Sequence, residues 1–571
     1  MRTLARRVLR VLVAAPLVVF VGCSSSSEVG VSPPSASVDQ AFASAHGVLL
    51  DFDFDGRMSS TSSTPSTLKA QITSQLAYTV GQLNGDSSVG RFERLELTNI
   101  VATPDGAGAF EVTYHAKLPV AWGRLSAQPT TYTLKVPLAG TTAGIDAWVA
   151  TYNTTCVGFE GSGSDRYSFW YYYRPAVGAC ALSPSDTAMV TATVARSPEN
   201  TVGKYPEYDK VWSDRELNVV AMFGRNESGA TANTDAGIRD FNTFVSQARS
   251  YVRTMQPDLT KLTETPGLSN TPGAVLPQVT VSAILPLLPG ETIPRKINVN
   301  VMLVGYRIYQ DGATFDAWYD ALTPTADLVL YAGHAGLGEN VRTLMNKGVV
   351  GAGQYTIWMV NGCDTFAYVD PTLANRVSAA NGGALATLYL DTVSNAMPSY
   401  FSRTPGGSMT MIRGLMDVTA PKTYAQMFSN IDPAQIVVVT GEEDNTFDPS
   451  MSVIPGVPPG PVVVDAGVPA LDSGLSPRDA GTTTDAGGPS PDAGSSDASV
   501  LPALDAGPSP QTTPPIATSP TTPPPASGAP SETGCACDTA PGRSGADVPG
   551  AALMAFGGLG AFFVRRRRAR R

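Results

Sequence analysis

The chain has 571 residues, a formal net charge of −10 and a pI near 5.0, and glycine and proline supply 55 and 46 of its residues. An acidic chain without an internal cationic cluster lacks the face that phosphate neutralisation requires, which excludes nucleic acid as a partner. Between Phe447 and Phe556 there is no aromatic residue, no lysine, and only Arg478 and Arg543 as cations; such a stretch cannot bury enough apolar surface to offset its chain entropy, which leaves about 420 residues to fold, enough for two domains.

Residues 1–23 have the three parts of a secretory signal: Arg2, Arg6, Arg7 and Arg10, an apolar run over 11–21, then small residues. The run is too short to span a bilayer. It closes on Phe20-Val21-Gly22-Cys23 and four serines, which resembles the lipobox of bacterial lipoproteins; the resemblance implies cleavage before Cys23 and lipidation of its sulfur.

Residues 40–205 read as an α+β domain. A strand over 48–54 alternates Phe52 and Phe54 with Asp51, Asp53 and Asp55, and a helix follows with Leu68, Ile72, Leu76 and Val80 on one stripe. Three further strands show period-two alternation at Leu95/Leu97, at Phe110 to Leu118, and at Tyr132/Leu134/Val136. The run Asp51-x-Asp53-x-Asp55-Gly56 has the start of a calcium loop, but position twelve is Ser62 where a bidentate Glu is needed, so it reads as the solvated face of a strand. Cys156 and Cys180 flank the aromatic run 169–173, read as a strand, and a bridge closing that loop is expected, worth about 3 kcal/mol.

Residues 206–450 alternate apolar strand-like runs with helical patterns. Strands are predicted at 217–223, 297–304, 328–332, 355–360, 384–390 and 436–439, with helices carrying Phe241 to Met255, Phe315 to Leu322 and Val341 to Met345. This predicts an α/β domain with a six-stranded, mainly parallel sheet covered on both faces, interrupted by a hairpin insertion within 265–294. In such sheets ligands bind at the carboxyl ends of the strands. The third strand ends on Gly333-His334-Ala335-Gly336 and the fourth on Gly362-Cys363-Asp364. Two strands thus deliver an imidazole and a thiol to one edge, and His334 is the only histidine beyond residue 116. A thiol beside an imidazole is a competent nucleophile, Gly333, Gly336, Gly362 and Asp364 form the surrounding site loops, and turn amides there can stabilise an oxyanion. With the other cysteines assigned, Cys363 is the odd cysteine of the folded part and the candidate reactive thiol. The chain order fits neither a papain-like enzyme nor an α/β-hydrolase, and one histidine with one cysteine is too small a set for zinc. The acidic run Glu442-Glu443-Asp444 follows the last strand, on the same predicted edge, where it would take a basic substrate side chain or a calcium ion.

Histidine at one strand end and cysteine at the next, each after an apolar run, resembles the caspase, legumain and gingipain group of cysteine peptidases over about 240 residues. The resemblance implies a caspase-like domain with Cys363 as nucleophile, His334 as general acid and base, and oxyanion donors at the amide of Cys363 and near Gly336. The sequence departs from that group at His334-Ala335-Gly336, where His-Gly is usual, at Gly362, where alanine is commoner, and in its 29-residue His–Cys separation.

Residues 455–533 are a Pro-, Ala- and Asp-Gly-rich linker with Asp-Ala-Gly at Asp465, Asp479, Asp485, Asp492 and Asp505, read as disordered. In 534–571, Cys535 and Cys537 precede an uncharged stretch over 548–564 and a terminal arginine cluster. This order resembles the C-terminal sorting segment of myxobacterial surface proteins and implies a transmembrane anchor with processing near the cysteines. The sequence therefore points to an exported, membrane-anchored cysteine endopeptidase acting on peptides or proteins, needing no cofactor beyond the calcium ion the acidic run would take. The alternative is a non-catalytic surface binding or adhesion lipoprotein, with the aromatic run 169–173 as recognition element and a degenerate peptidase-like domain as scaffold.

Overall fold

The alternation legible at 48–54 continues further in the structure, a computed structural model that describes residues 41–158, 161–265, 276–432 and 435–459. Strand β1 (Val48–Ser60) buries Phe52, Phe54 and Met58 and turns Asp53 and Asp55 outward. Helix α1 (Pro65–Leu76) opens on proline, and Ala77 separates it from α2 (Tyr78–Asn84), so the predicted single helix is two. Strands β2 (Ser88–Gly90) and β3 (Glu96–Pro104) both pair with β4 (Phe110–Trp122), followed by β5 (Thr131–Pro137), α3 (Thr142–Tyr152), α4 (Phe169–Tyr172) and β6 (Thr187–Arg196). The six strands form one antiparallel sheet in the order β2-β4-β1-β6-β5, with β3 also on β4. The aromatic run is a buried helical turn rather than a strand. Phe169, Trp170, Tyr171, Tyr172 and Tyr173 pack edge-on among themselves and against Tyr78 and Trp148, and the Cys156–Cys180 bridge closes around them.

After the short helix α5 (Tyr208–Val211), the second region alternates β7 (Glu216–Gly224), α6 (Ala236–Met255), β8 (Leu262–Glu264), β9 (Gln278–Ile284), β10 (Lys296–Val304), α7 (Gly312–Leu322), β11 (Leu328–Ala332), α8 (Glu339–Asn346), β12 (Thr356–Asn361), α9 (Thr372–Ala380), β13 (Leu390–Asn395), α10 (Thr404–Met416), α11 (Tyr424–Phe428) and β14 (Val437–Thr440). The predicted six-stranded, mainly parallel caspase-like sheet does not fit this arrangement. Eight strands stand in the order β14-β13-β12-β11-β7-β10-β9-β8. The central β13, β12, β11, β7 and β10 are parallel, while β9, β8 and β14 are antiparallel at the two edges. The difference has two causes. The segment read as an insertion extends the sheet, because Val279, Val281 and Ala283 alternate inward against β10. The last strand begins opposite the end of β13, with Val437 facing Asn395, and so runs back along it.

One face of this sheet, with Val220, Val304, Val329 and Trp358, shares a continuous apolar core with α7, α8, α9 and the first region; the other, with Leu217, Val219 and Val299, packs on α6 and α10. Among the described residues no helix is long and apolar enough to cross a membrane. The signal segment with Cys23, the linker 460–533, and the tag with Cys535, Cys537 and 548–564 lie outside the described residues.

Candidate functional site

Strands β11 and β12 pair in parallel up to Ala332 opposite Asn361, so His334 and Cys363 each lie two residues beyond the last pair, at one level of the sheet. The two turns touch. A Cβ on Gly362 would stand 2.6 Å from the Gly333 carbonyl oxygen and 3.3 Å from the Ala335 nitrogen. That contact accounts for glycine before the cysteine, since alanine would push the two strand ends apart. Beyond His334 the chain turns through left-handed Gly336, Leu337 and Gly338, and Asp364, next to the cysteine, is left-handed as well, with φ 50°. Non-glycine residues held there are strained and persist only where the surroundings fix them.

The surroundings do so through hydrogen bonds that the sequence did not reveal. The His334 carbonyl accepts from the Tyr331 hydroxyl at 2.7 Å and from Asn340 Nδ2 at 2.9 Å, and Asn340 is itself tied to the Tyr306 carbonyl and the Ile308 amide. The ring lies edge-on between Tyr306, at 4.7 Å between centroids, and Phe401, at 5.0 Å. Its Nε2 lies 2.9 Å from the Asn226 carbonyl oxygen. A carbonyl only accepts, so Nε2 carries the hydrogen and Nδ1 is the basic nitrogen of the neutral ring. Asp235, the N-cap of α6, holds that carbonyl in place by accepting the Asn226 and Glu227 amides as well as the Ile238 amide.

The Cys363 sulfur meets one residue of the loop after β13 twice. The Ser399 amide donates to it at 3.2 Å, and the sulfur lies 3.4 Å from the Ser399 carbonyl oxygen. Ser399 is anchored in turn: its hydroxyl donates to Asn361 Oδ1, and Gln435 Nε2 donates to both at 3.1 Å. This buried polar network links the end of β12 to the loops around it.

Asp364 faces away from this edge toward the first region. Its amide donates to the Met397 carbonyl, and its fully buried carboxyl accepts from Asn84 Nδ2 at 2.9 Å, at the C-terminus of α2. Burial pushes its pKa up to about 6, against the Tyr171 and Asn84 hydrogen bonds that lower it. Beside it Phe366 packs edge-on against Phe42 and lies under Arg91, so the first region is fixed on the cysteine-bearing loop.

The acidic run is not part of this edge. Because β14 is antiparallel to β13, Thr440 pairs with Thr392 near the start of β13, and Glu442, Glu443 and Asp444 stand at the opposite end of the sheet from His334 and Cys363. There the turn wraps Asp391, which accepts from the Tyr355 hydroxyl at 2.6 Å, from Asn445 at 2.7 Å and from the Tyr424 hydroxyl. Glu442 accepts from Thr201 at 2.6 Å and Asp444 from Thr387 at 2.8 Å. Burial pushes Asp391 up to about 7 and Glu442 up to about 8, and Asp391 adds to the rise of Glu442. Among the described residues no group of three or more His, Cys, Asp or Glu side chains is arranged to hold a metal ion.

His334 and Cys363 are 1% and 2% exposed. A pocket between α7 and α9, lined by residues including Tyr319, Lys347, Trp358 and Arg376, contains neither of them. Comparison with protein-family models, with curated proteins and with solved structures finds no match in any of the three.

Proposed function

We propose that this protein is an exported cysteine endopeptidase, held at the cell surface, with Cys363 as nucleophile and His334 as proton carrier. The observation that carries the reading is the common level of the two residues on adjacent parallel strands, joined at Gly362. Two further features support it: the His334 ring is held by its Nε2 hydrogen, which assigns proton transfer to Nδ1, and the Ser399 amide donates to the sulfur. In the reaction the sulfur of the reduced chain attacks the scissile carbonyl carbon, and its proton passes to His334. His334 then protonates the leaving amine as the C–N bond breaks. Water hydrolyses the thioester, returning the proton to the sulfur.

The test is cleavage of a peptide library by the reduced full chain, compared with Cys363→Ala and His334→Ala. Cleavage by the parent that falls at least about 10³-fold in both variants is the expected result, the scale seen when one member of a nucleophile–base pair is removed. Equal cleavage by parent and variants would overturn the proposal.

One observation favours the second reading, a non-catalytic surface binding protein: both groups are buried. The aromatic run 169–173 is not its recognition face, since those side chains are interior. A reduced, folded parent that fails to cleave any peptide would decide for this reading.

A further inference from the structure

The Cys363 sulfur is held in a disulfide. Cys156 and Cys180 bond each other, so of the six cysteines its partner is Cys23, Cys535 or Cys537, all of which lie outside the described residues. The lipobox resemblance assigns the Cys23 sulfur to lipid, which leaves the pair Cys535-Ala536-Cys537. The chain is long enough to bring that pair to Cys363. Arg215, just before β7, donates to the Pro455 carbonyl, so the described chain leaves from the amino end of the parallel strands, whereas Cys363 stands at their carboxyl end. The nine residues of β7 set that distance at about 30 Å. Residues 460–534, with the composition of a coil, reach roughly 50 Å. Around the sulfur, His334, Ser399, Tyr400 and Asp432 each have further partners, as a segment bound over this edge requires.

We propose that Cys363 is bridged to the tail through Cys535 or Cys537, which holds the C-terminal segment on the carboxyl edge of the parallel strands, and that the second tail cysteine releases it by thiol–disulfide exchange. The bridge rests on the cysteines alone. Its consequence, a nucleophile stored as a disulfide and freed on release, rests on the dyad reading above. Three cysteines share one bridge, so one tail sulfur stays a thiol, separated from its neighbour only by Ala536. Its thiolate attacks the tail sulfur of the bridge. A bond forms between Cys535 and Cys537, the bond to Cys363 breaks, and the electron pair leaves on the Cys363 sulfur, which takes from solvent the proton that the attacking thiol gave up. One disulfide replaces another, so the step needs no external reductant. Access sets its direction: Cys363 is 2% exposed, so attack falls on the tail sulfur and Cys363 is the leaving group.

The experiment locates the bridge and then its release. The oxidised full chain is unfolded in mildly acidic urea with N-ethylmaleimide present, digested without reductant and mapped by mass. The peptide holding Cys363 is expected to be joined to the one holding Cys535 and Cys537, with a single maleimide on the latter. A Cys363 peptide joined to Cys23, or carrying maleimide and joined to nothing, would overturn the bridge. The folded, unblocked chain is then incubated with one equivalent of reduced glutathione. Cys535→Ala and Cys537→Ala each keep one tail cysteine, and each is expected to bridge, then to retain one glutathione on the tail as Cys363 is freed. The parent is expected to lose that retention and to end with a bond between Cys535 and Cys537 and a free Cys363. Glutathione on Cys363, or glutathione retained on the parent tail as in the variants, would overturn the exchange. A located bridge in a chain whose reduced form cleaves no peptide would leave the bridge standing and overturn the peptidase reading, and cleavage by a chain without the bridge would do the reverse.

Discussion

The two ends of the eight-stranded sheet bury polar groups to opposite effect. At the carboxyl end of the parallel strands, the Cys363 sulfur, an imidazole and their supporting amides and carbonyls are linked through Asn340, Asn226, Ser399 and Gln435, with the amide oxygens Asn226 Oδ1 and Gln435 Oε1 left without a partner among the described residues. At the other end the turn after β14 brings Glu442 to Asp391, and Asp391 Oδ1, Glu442 Oε2 and Asp444 Oδ1 have no hydrogen-bond partner among the described residues. Both ends use a pinched glycine: a Cβ on Gly362 would meet the Gly333 carbonyl at 2.6 Å, and one on Gly441, whose φ is +93°, would meet the Leu390 carbonyl at 2.6 Å. The difference teaches that burial alone does not mark a site. Neutral or singly charged groups crosslinked by the backbone are held in one geometry, whereas crowded carboxyls store repulsion that a proton relieves.

The largest expected effects come from filling the two pinches. Gly362→Ala and Gly441→Ala should each cost about 3 kcal/mol in urea unfolding, because backbone rather than a movable side chain receives the new methyl. A cost below about 1 kcal/mol at Gly362 would show that the two strand ends are not locked together. Next is the tie to the first region. Asn84→Ala should cost about 2 kcal/mol by leaving the buried Asp364 carboxyl without that donor, and an unchanged unfolding midpoint would show that the first region does not brace the cysteine-bearing loop.

The acidic end is distinguished by how stability changes with pH rather than by its loss at one pH. Asp391 and Glu442 have folded pKa values of about 7 and about 8, raised by burial, so the folded chain keeps protons that the unfolded chain has released. More protons on the folded state mean that stability falls as pH rises, from about 4, the ordinary carboxyl range, to about 8, by up to about 1.4 kcal/mol per pH unit for each group. Asp240 and Asp364, raised by burial to about 8 and about 6, contribute slope of the same sign. The double variant Asp391→Asn, Glu442→Gln should flatten part of the decline in the unfolding midpoint between pH 5 and about pH 8; an undiminished slope would place the titration elsewhere.

The runs that form β7, β10, β11 and β12 were legible because each ends on glycine followed by a chemically distinctive residue, but their place in an eight-stranded mixed sheet was not. Strand β13 begins six residues later than the predicted strand at 384–390. Its sequence Leu-Asp-Thr-Val-Ser-Asn is mostly polar, yet all six residues are buried between the neighbouring strands, while the more apolar stretch before it contains a 3-10 turn over Ala386–Leu388. Strand β6 carries a period-two signal at Ala188, Val190, Ala192 and Val194 that would have revealed it. The run 169–173 misled in the other direction. Its aromatic residues favour strands, but with buried neighbours on every side and a disulfide closing the loop, a four-residue helix accommodates them. The direction of β14, which moved the acidic run to the far end, depends on where two intervening helices return the chain, and no periodicity encodes that. Asn226, Asn340, Ser399 and Gln435 are ordinary loop and helix polar residues in the sequence, and only the fold brings them to the pair.

The most direct measurement is covalent. The reduced chain is incubated with a peptidyl ester, and any acyl adduct is located by intact mass and peptide mapping, in the parent and in His334→Ala. The account predicts a thioester adduct on Cys363 that is lost in His334→Ala. No adduct on Cys363 in the parent, with the chain folded, would contradict it.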